Sequence, residues 1–575
     1  NPYHAGVIHT RVEVLKGPAS VQFGNGDPGG IVNFATKQAV DTPFAELGGE
    51  VGTRDRISLW ADLNAPLTSD GALKGRVVAA YDEPGSITDF VEFEQQAFLA
   101  ALSYEPSTDT RVFVRGFYQQ DDNQPAPTLP LLETGEIPDI SRQSFVGVPD
   151  INRDFFEQYD VLIEVEHALT DYLKLELRGS ARRQERVTVS TDIDTPGGIP
   201  ASGDIMIDAF RTADERDFYQ GEFLGTFDLN KFNIPAKVLV GATLFEENTV
   251  FDLNNTVPLG EFNVFQPDQS IPRPPEDQLV GPFATFDQDI RGVFGEIVVR
   301  PLDGLTIVGG FRNDRIDGDF RIPAFDFIST STDRATTFKL GATYALRRNI
   351  SLFASFAESF DPSGAFNADN ELLPPVEGVG FEAGSKVGLF NEQLFITGSL
   401  FQIERQNIPI TDPENPGFSV LRGEERNRGV EFEASGSPLP GLQLRASYAF
   451  IDAEIIEGNM NQNEGNTPFS VPEHEFSLWT SYKMPTGRLE GVGAGVGVLG
   501  KSDFFVTDTN EFEFDGHVRA DISLFYRPSD RPYEISVDVR NVTDTVFING
   551  SNGDVGSAFN FGEPRIFELR VIYRL

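Results

Sequence analysis

Cysteine is absent from the chain, which excludes a disulfide scaffold, thiolate metal sites and a cysteine nucleophile. No run of about 18 apolar residues occurs, so no transmembrane helix is expected. Barrel strands stay open as a way through a membrane, because they carry only a weak alternating signal. Basic residues are outnumbered 46 to 88, for a formal charge of −42. Such a field repels nucleic acid and argues against a DNA or RNA partner. The chain begins at Asn1 without a basic stretch followed by an apolar one. A signal peptide is therefore expected to have been removed or never included.

Aromatics and glycine are plentiful: 50 Phe, 13 Tyr and 55 Gly. The chain is too aromatic for disorder and suits strands and turns better than helices. From about residue 44 the dominant period is two. Leu173, Leu175 and Leu177 alternate with Lys174, Glu176 and Arg178. Near the end, Phe567, Leu569, Val571, Tyr573 and Leu575 alternate with Glu568, Arg570 and Arg574. Each such segment has one apolar and one charged face. Twenty-two candidate strands follow, running from 44–53 and 57–66 through 350–358, 379–389 and 427–436 to 562–575. Short connectors (169–171, 302–304, 347–349, 390–392, 437–440) alternate with long ones (122–156, 185–216, 247–288, 316–334, 453–472).

An even number of antiparallel strands with short turns at one end and long loops at the other is the pattern of an outer-membrane barrel. A sandwich does not need that alternation, and no repeat period points to a propeller or solenoid. The expected fold is all-β: a 22-stranded antiparallel transmembrane barrel. A barrel of that size has a lumen wide enough to need a plug.

Residues 11–37 read RVEVLKGPASVQFGNGDPGGIVNFATK. The stretch lacks the Lys-Ser/Thr pair of a phosphate loop, and no helical pattern follows it. Val12 and Val14, then Ile31, Val32 and Phe34, suggest two strands around a turn. This stretch resembles the end of the plug domain of TonB-dependent outer-membrane receptors, ferric-siderophore receptors in particular. Glu13, Lys16, Gly17, Pro18, Ser20, Gly24, Pro28, Gly29, Gly30 and Asn33 carry the resemblance. Segments 351–364, 380–407, 427–454, 467–482, 538–544 and 561–575 resemble the later strands of the same family. Leu575 departs from the aromatic residue with which the family usually ends. The resemblance implies that residues 1–43 are the C-terminal part of a plug and 44–575 the barrel. It also implies that most of the plug, with the TonB box, lies outside this sequence.

The implied function is TonB-dependent import of a ferric siderophore across the bacterial outer membrane. No bond in the cargo breaks, so the protein is not an enzyme. No covalently bound cofactor and no resident metal are expected; ferric iron passes through as the siderophore complex. The partners are the siderophore, TonB, outer-membrane lipid and no nucleic acid, with the chain a monomer. Another TonB-dependent cargo (a saccharide, cobalamin, a different metal chelate) is the alternative, and a passive porin a more distant one. The acidic balance disfavours highly anionic ferric catecholates and leans toward a hydroxamate or mixed ligand.

Strand parity gives further expectations. With Val379, Phe381 and Ala383 on the lipid face, Glu382 points into the lumen. With Val430, Phe432 and Ala434 outward, Glu431 and Glu433 point inward. The resemblance implies that Lys16 faces Glu382 and Glu431 in an ion cluster that holds the plug. Aromatics of the long loops, Phe325, Phe327, Phe504, Phe505 and Phe559, are candidates to wall a bulky chelate.

Other motifs are set aside. GVGVLGKS (495–502) matches a phosphate loop in form, but no helix follows to offer its N-terminus. His4, His9, His167, His474 and His517 form no metal-ligand pair at helical spacing, and 472–476 (PEHEF) supplies one His only. NMNQNEG (459–465) lacks the acidic ligands of a calcium loop. With 88 acidic residues, close carboxylates occur by chance and mark no glycosidase site.

Overall fold

The computed structural model describes residues 5–575 except 194, 196, 254, 413, 414, 416, 417, 459–462, 554 and 557. Four residues of the 459–465 stretch, and His4, thus lie outside the described residues.

The alternation sorts side chains between lipid and lumen. In Ile566–Arg574, Phe567, Leu569, Val571 and Tyr573 are exposed on the outer wall while Glu568 is buried. This last strand pairs antiparallel with Phe44–Gly52, the first, and closes the barrel. The seam is laced from inside. Arg570 and Arg56 donate to Glu50 (2.7 and 3.0 Å), and Arg574 donates to Glu46 (2.7 Å). The closed antiparallel barrel has 22 strands, as the alternation predicts. The named ladders are antiparallel and the barrel is closed on itself, so its wall has no free strand edge facing the bilayer. Among the described residues no helix is long and apolar enough to cross a membrane.

The long connectors are shorter than the sequence suggests. Residues 185–216 are mostly the ends of Leu173–Asp192 and Asp204–Asp228, and 316–334 mostly those of Leu305–Ile322 and Phe327–Arg347. Asn255–Asn263, inside the expected loop 247–288, is a strand pairing with residues 204–211. Beyond the bilayer the outer face need not be apolar, so the alternation fades although the ladder continues.

The loops at that end are not independent. Leu131, Val148, Ile199, Ile207, Leu279, Phe504 and Phe559 belong to one buried apolar cluster built from the loops and strand extensions. Leu129 bridges to Phe559, and Leu132 to Ile199. Hydrophobic burial here makes a folded cap rather than free strings of residues.

The long-connector end is the external one by the barrel rule. A tag at 135 or 265 is expected to be labelled on intact cells and a tag at 303 only after permeabilisation. Surface labelling at 303 with silence at 135 would reverse the orientation.

The phosphate-loop look-alike is the strand Val492–Lys501. Its Gly495 and Gly497 lie under the indole of Trp479, where a Cβ would come within 2.7 and 2.8 Å of the ring. The glycines there clear space for an aromatic side chain.

Candidate functional site

The segment before the barrel crosses the lumen. Strands β1 (His9–Lys16) and β2 (Gly30–Thr36) form an antiparallel hairpin. Across it Asn33 donates to Glu13 (2.8 Å), and Arg11 holds the same carboxylate (2.5 Å). Those hydrogen bonds, Arg11's first, lower the Glu13 pKa. Gly30 has φ +133°, and a Cβ there would lie 2.2 Å from the Leu15 carbonyl oxygen. Only glycine lets the two strands approach so closely.

Between β1 and β2 the chain docks on the wall. The Phe360 amide donates to Ser20 Oγ (3.2 Å), and the Gly26 amide to the Phe360 carbonyl (2.9 Å). Pro28 and Pro18 press against Gly378 and Gly380, where a Cβ would come within 2.3 and 2.5 Å. The two wall glycines, on Val376–Leu389, are thus seats for the two prolines. After β2 the segment reaches the opposite wall, about half a circuit away in strand order. There Lys37 donates to Asp62 (2.8 Å), Arg115 to Thr36 (2.9 Å) and Arg76 to the Gln38 carbonyl (3.0 Å).

Lys16 ends β1. Its ammonium donates to Glu431 (2.6 Å) and Glu433 (2.7 Å) of Ser419–Leu439. Both carboxylates face inward, as the outward exposure of Phe432 requires. Glu382, expected as the second partner, forms no ion pair among the described residues; Glu433 takes its place. Glu382 stands two strands away on Val376–Leu389 and lines with Lys16 and Glu431 a cavity of about 210 Å³. Strand direction explains the difference. β1 brings Lys16 over one strand, where residues two apart offer two carboxylates to one ammonium. Burial alone would lower the Lys16 pKa, but the hydrogen bonds that its ammonium donates to Glu431 and Glu433, with the nearby negative charge, outweigh it and raise it. Lys16 therefore stays charged at neutral pH. Half of the Lys16 side chain is exposed, so its pairs are separable rather than sealed.

Arg312 and Asp314 on Leu305–Ile322 are sealed, at 2 % and 0 % side-chain exposure. Arg312 donates to Asp314 (2.8 Å), lies 5.4 Å from the Phe294 ring and passes close to Gly24. No sequence motif marks this pair.

A docked signature hairpin inside a closed 22-stranded barrel points to one family, and residues 99–542 match that family's description, "TonB dependent receptor-like, beta-barrel". The chain belongs to the TonB-dependent receptors. It is accordingly an outer-membrane protein and a transporter, not an enzyme. This TonB-dependent receptor is 28% identical over 574 residues to the metal-pseudopaline receptor CntO of Pseudomonas aeruginosa (strain UCBPP-PA14), covering 96% of this chain and 78% of that protein. It is 26% identical over 592 residues to the ferric-pyoverdine M114 receptor PbuA of Pseudomonas sp. (strain M114), covering 98% and 70%. The fold of P. aeruginosa FpvA, solved with a bound heterologous pyoverdine–iron complex, superposes with a TM-score of 0.87 at 21% identity, covering 100% of this chain and 76% of that one.

The receptor's loop aromatics separate into two groups. Phe504 and Phe559 are each 1 % exposed and stack edge-on against Phe514 (5.7 and 5.5 Å) inside the apolar cap. Neither has a face free for cargo, and Phe505 is held beside them by pairing with Glu513. The expectation that Phe504 and Phe559 wall a chelate is corrected to cap packing: a two-residue strand pair turns Phe504 into the core, while Phe505 beside it stays half-buried. Phe327 packs on Phe320 and Phe366, and Phe325 is 66 % exposed at the rim. Replacing both Phe504 and Phe559 by alanine is expected to loosen the cap by about 3–5 kcal/mol per ring, the usual cost of emptying a buried Phe site. Protease on intact cells should then cut the external loops faster, with the heat-modifiable migration of the barrel unchanged. Equal cutting rates would return both rings to the ligand wall.

Proposed function

We propose that this receptor imports a ferric siderophore across the outer membrane by energy-coupled movement of its luminal segment. Residues 1–43 serve as the movable plug part and 44–575 as its housing, working as a monomer in outer-membrane lipid. The observation that carries the reading is how the segment is seated. On the side of Val376–Leu389 and Ser419–Leu439 it is held by separable contacts, half-exposed ion pairs from Lys16 and two prolines resting on wall glycines, while Lys37 on the opposite side is anchored to the buried Asp62. A porin has no use for a segment seated across its pore. TonB would supply the pull by strand addition, which needs main-chain pairing rather than a particular side-chain sequence. The relatives named for ferric-pyoverdine and metal-pseudopaline support a metal chelate as cargo. The second of those names keeps open a chelate of a metal other than iron.

Growth of a deletion strain, complemented with this gene and supplied with one chelate at a time, tests the reading. Growth on at least one ferric siderophore that disappears without TonB is expected. Rescue only by a non-ferric chelate would move the assignment to the second reading. TonB-independent uptake would end both.

A further inference from the structure

We propose that a cavity under the external rim, between the first strands and the last loop, binds an oxyanion carried by the cargo, of the carboxylate class. The proposal rests on the chelate-import reading given above.

The cavity measures about 440 Å³ and is lined by Arg54, Arg142, Thr88, Ser144, Asn560 and Glu563 among others. That volume suits a small organic group. Several arginines of the chain leave one buried nitrogen unpartnered while another nitrogen is ion-paired. This cavity brings together two arginines with an unpartnered nitrogen, one of them without an ion pair among the described residues. Arg54 Nε and Arg142 Nη1 are buried and have no hydrogen-bond partner. Arg54 forms no ion pair among the described residues. Arg142 has only a distant one, Nη2 to Asp544 Oδ2 at 3.5 Å. The lining carboxylate, Glu563, is already engaged by Arg540 (3.0 Å) and, further off, Arg519 (3.9 Å). Of the two cavity arginines, Arg142 is paired with Asp544, and Arg54 carries charge that no ion pair among the described residues neutralises.

Backbone geometry at Arg54 supports a role for its side chain. Arg54 and Asp55 have φ of +66° and +60°, the left-handed region that a long side chain occupies only at a cost. Glycine or asparagine would relieve that strain. Gly85 fixes the turn from the other side: a Cβ there would lie 2.3 Å from the Arg54 carbonyl oxygen. A strained residue carrying unfilled donors into a cavity is a mark of a ligand site. A buried guanidinium N–H without an acceptor is costly, and a carboxylate or phosphate is the acceptor-only group that fills it, often with two parallel bonds. Thr88, Ser144 and Asn560 add neutral hydrogen-bonding groups around it. The lining comes from the external turns and loops and includes Leu129, a member of the apolar cap. Cargo arrives at that end on the import reading, which favours a carboxylate-bearing chelate over a free ion.

Calorimetric titration of the purified receptor with citrate, ferric citrate and inorganic phosphate tests the site. Citrate is expected to bind, and Arg54→Gln and Arg142→Gln each to weaken it at least tenfold. Unchanged barrel migration on heating serves as the folding control. Arg142, on a loop, tests the site independently should the Arg54 variant fail to fold. No citrate binding to the wild-type receptor, or equal affinity in a folded variant, overturns the proposal. Phosphate binding as tightly as citrate would make the site one for a free ion and overturn the cargo assignment. Uptake by cells separates the two readings. The variants should lose import of iron from citrate and keep import from a neutral trihydroxamate. Wild-type cells that import neither would sink the chelate-import reading, while the titration still decides the cavity.

Discussion

Asp314→Ala is expected to destabilise the barrel by about 3–5 kcal/mol, because it leaves the Arg312 guanidinium buried without its carboxylate. Both side chains are sealed from water, so no solvent replaces the lost partner. Gly292 leaves no room for relief: a Cβ there would lie 2.3 Å from both Arg312 and Asp314, showing how tightly the pair is enclosed. Thr243 accepts a hydrogen bond from Arg312 Nη2 (2.5 Å) but brings no charge. The paired replacement Arg312→Met with Asp314→Leu should recover most of the loss, since two apolar groups of similar volume need no partner. Unfolding midpoints in detergent decide the matter. An Asp314→Ala midpoint equal to wild type would mean that water reaches the pair.

Lys16→Glu is expected to free the luminal segment without unfolding the barrel. It removes two ion pairs and sets a third carboxylate against Glu431 and Glu433. Half-exposed pairs contribute about 0.2–1 kcal/mol each. With the added repulsion, the segment should lose on the order of 2 kcal/mol of its hold. Planar-bilayer recording should show raised single-channel conductance. Lys16→Met, which removes attraction without adding repulsion, should show a smaller rise, and Glu382→Gln none. Conductance unchanged in Lys16→Glu would place the hold elsewhere, at the prolines or on the Asp62 side.

Strand number and side-chain direction were legible because each rests on a period of two repeated over eight or more residues, as in Leu173–Asp192 and Ile566–Arg574. Parity alone placed Glu431, Glu433 and Glu382 in the lumen. It could not choose among them, because that choice depends on the angle at which β1 crosses the wall, and nothing local encodes it. Glu433 carried the same signal as Glu431 and lacked only the family resemblance. The strand extensions at 185–216 and 316–334 escaped notice because water, not lipid, surrounds them and both faces can be polar. The cap escaped for a related reason. Leu131, Ile199 and Phe559 sit far apart in sequence, in short loop stretches without strand or helix periodicity, and only the barrel rim brings them together. Gly378 and Gly380 read as ordinary strand glycines until Pro28 and Pro18 are set against them.

The apolar cap bears on how this receptor can change. Loops on separate stalks could drift independently, each trying new side chains while its neighbours kept the old ones. Here Leu129 is tied to Phe559, and Leu132 to Ile199, across stretches hundreds or dozens of residues apart in the chain. An altered rim residue that disturbs one loop is felt by the others. Descendants should therefore inherit the outer surface as a block, with the 125–152, 193–203 and 541–565 segments exchanged together or not at all. A chimera carrying only one of them from a relative should express poorly, whereas a graft of all three should not.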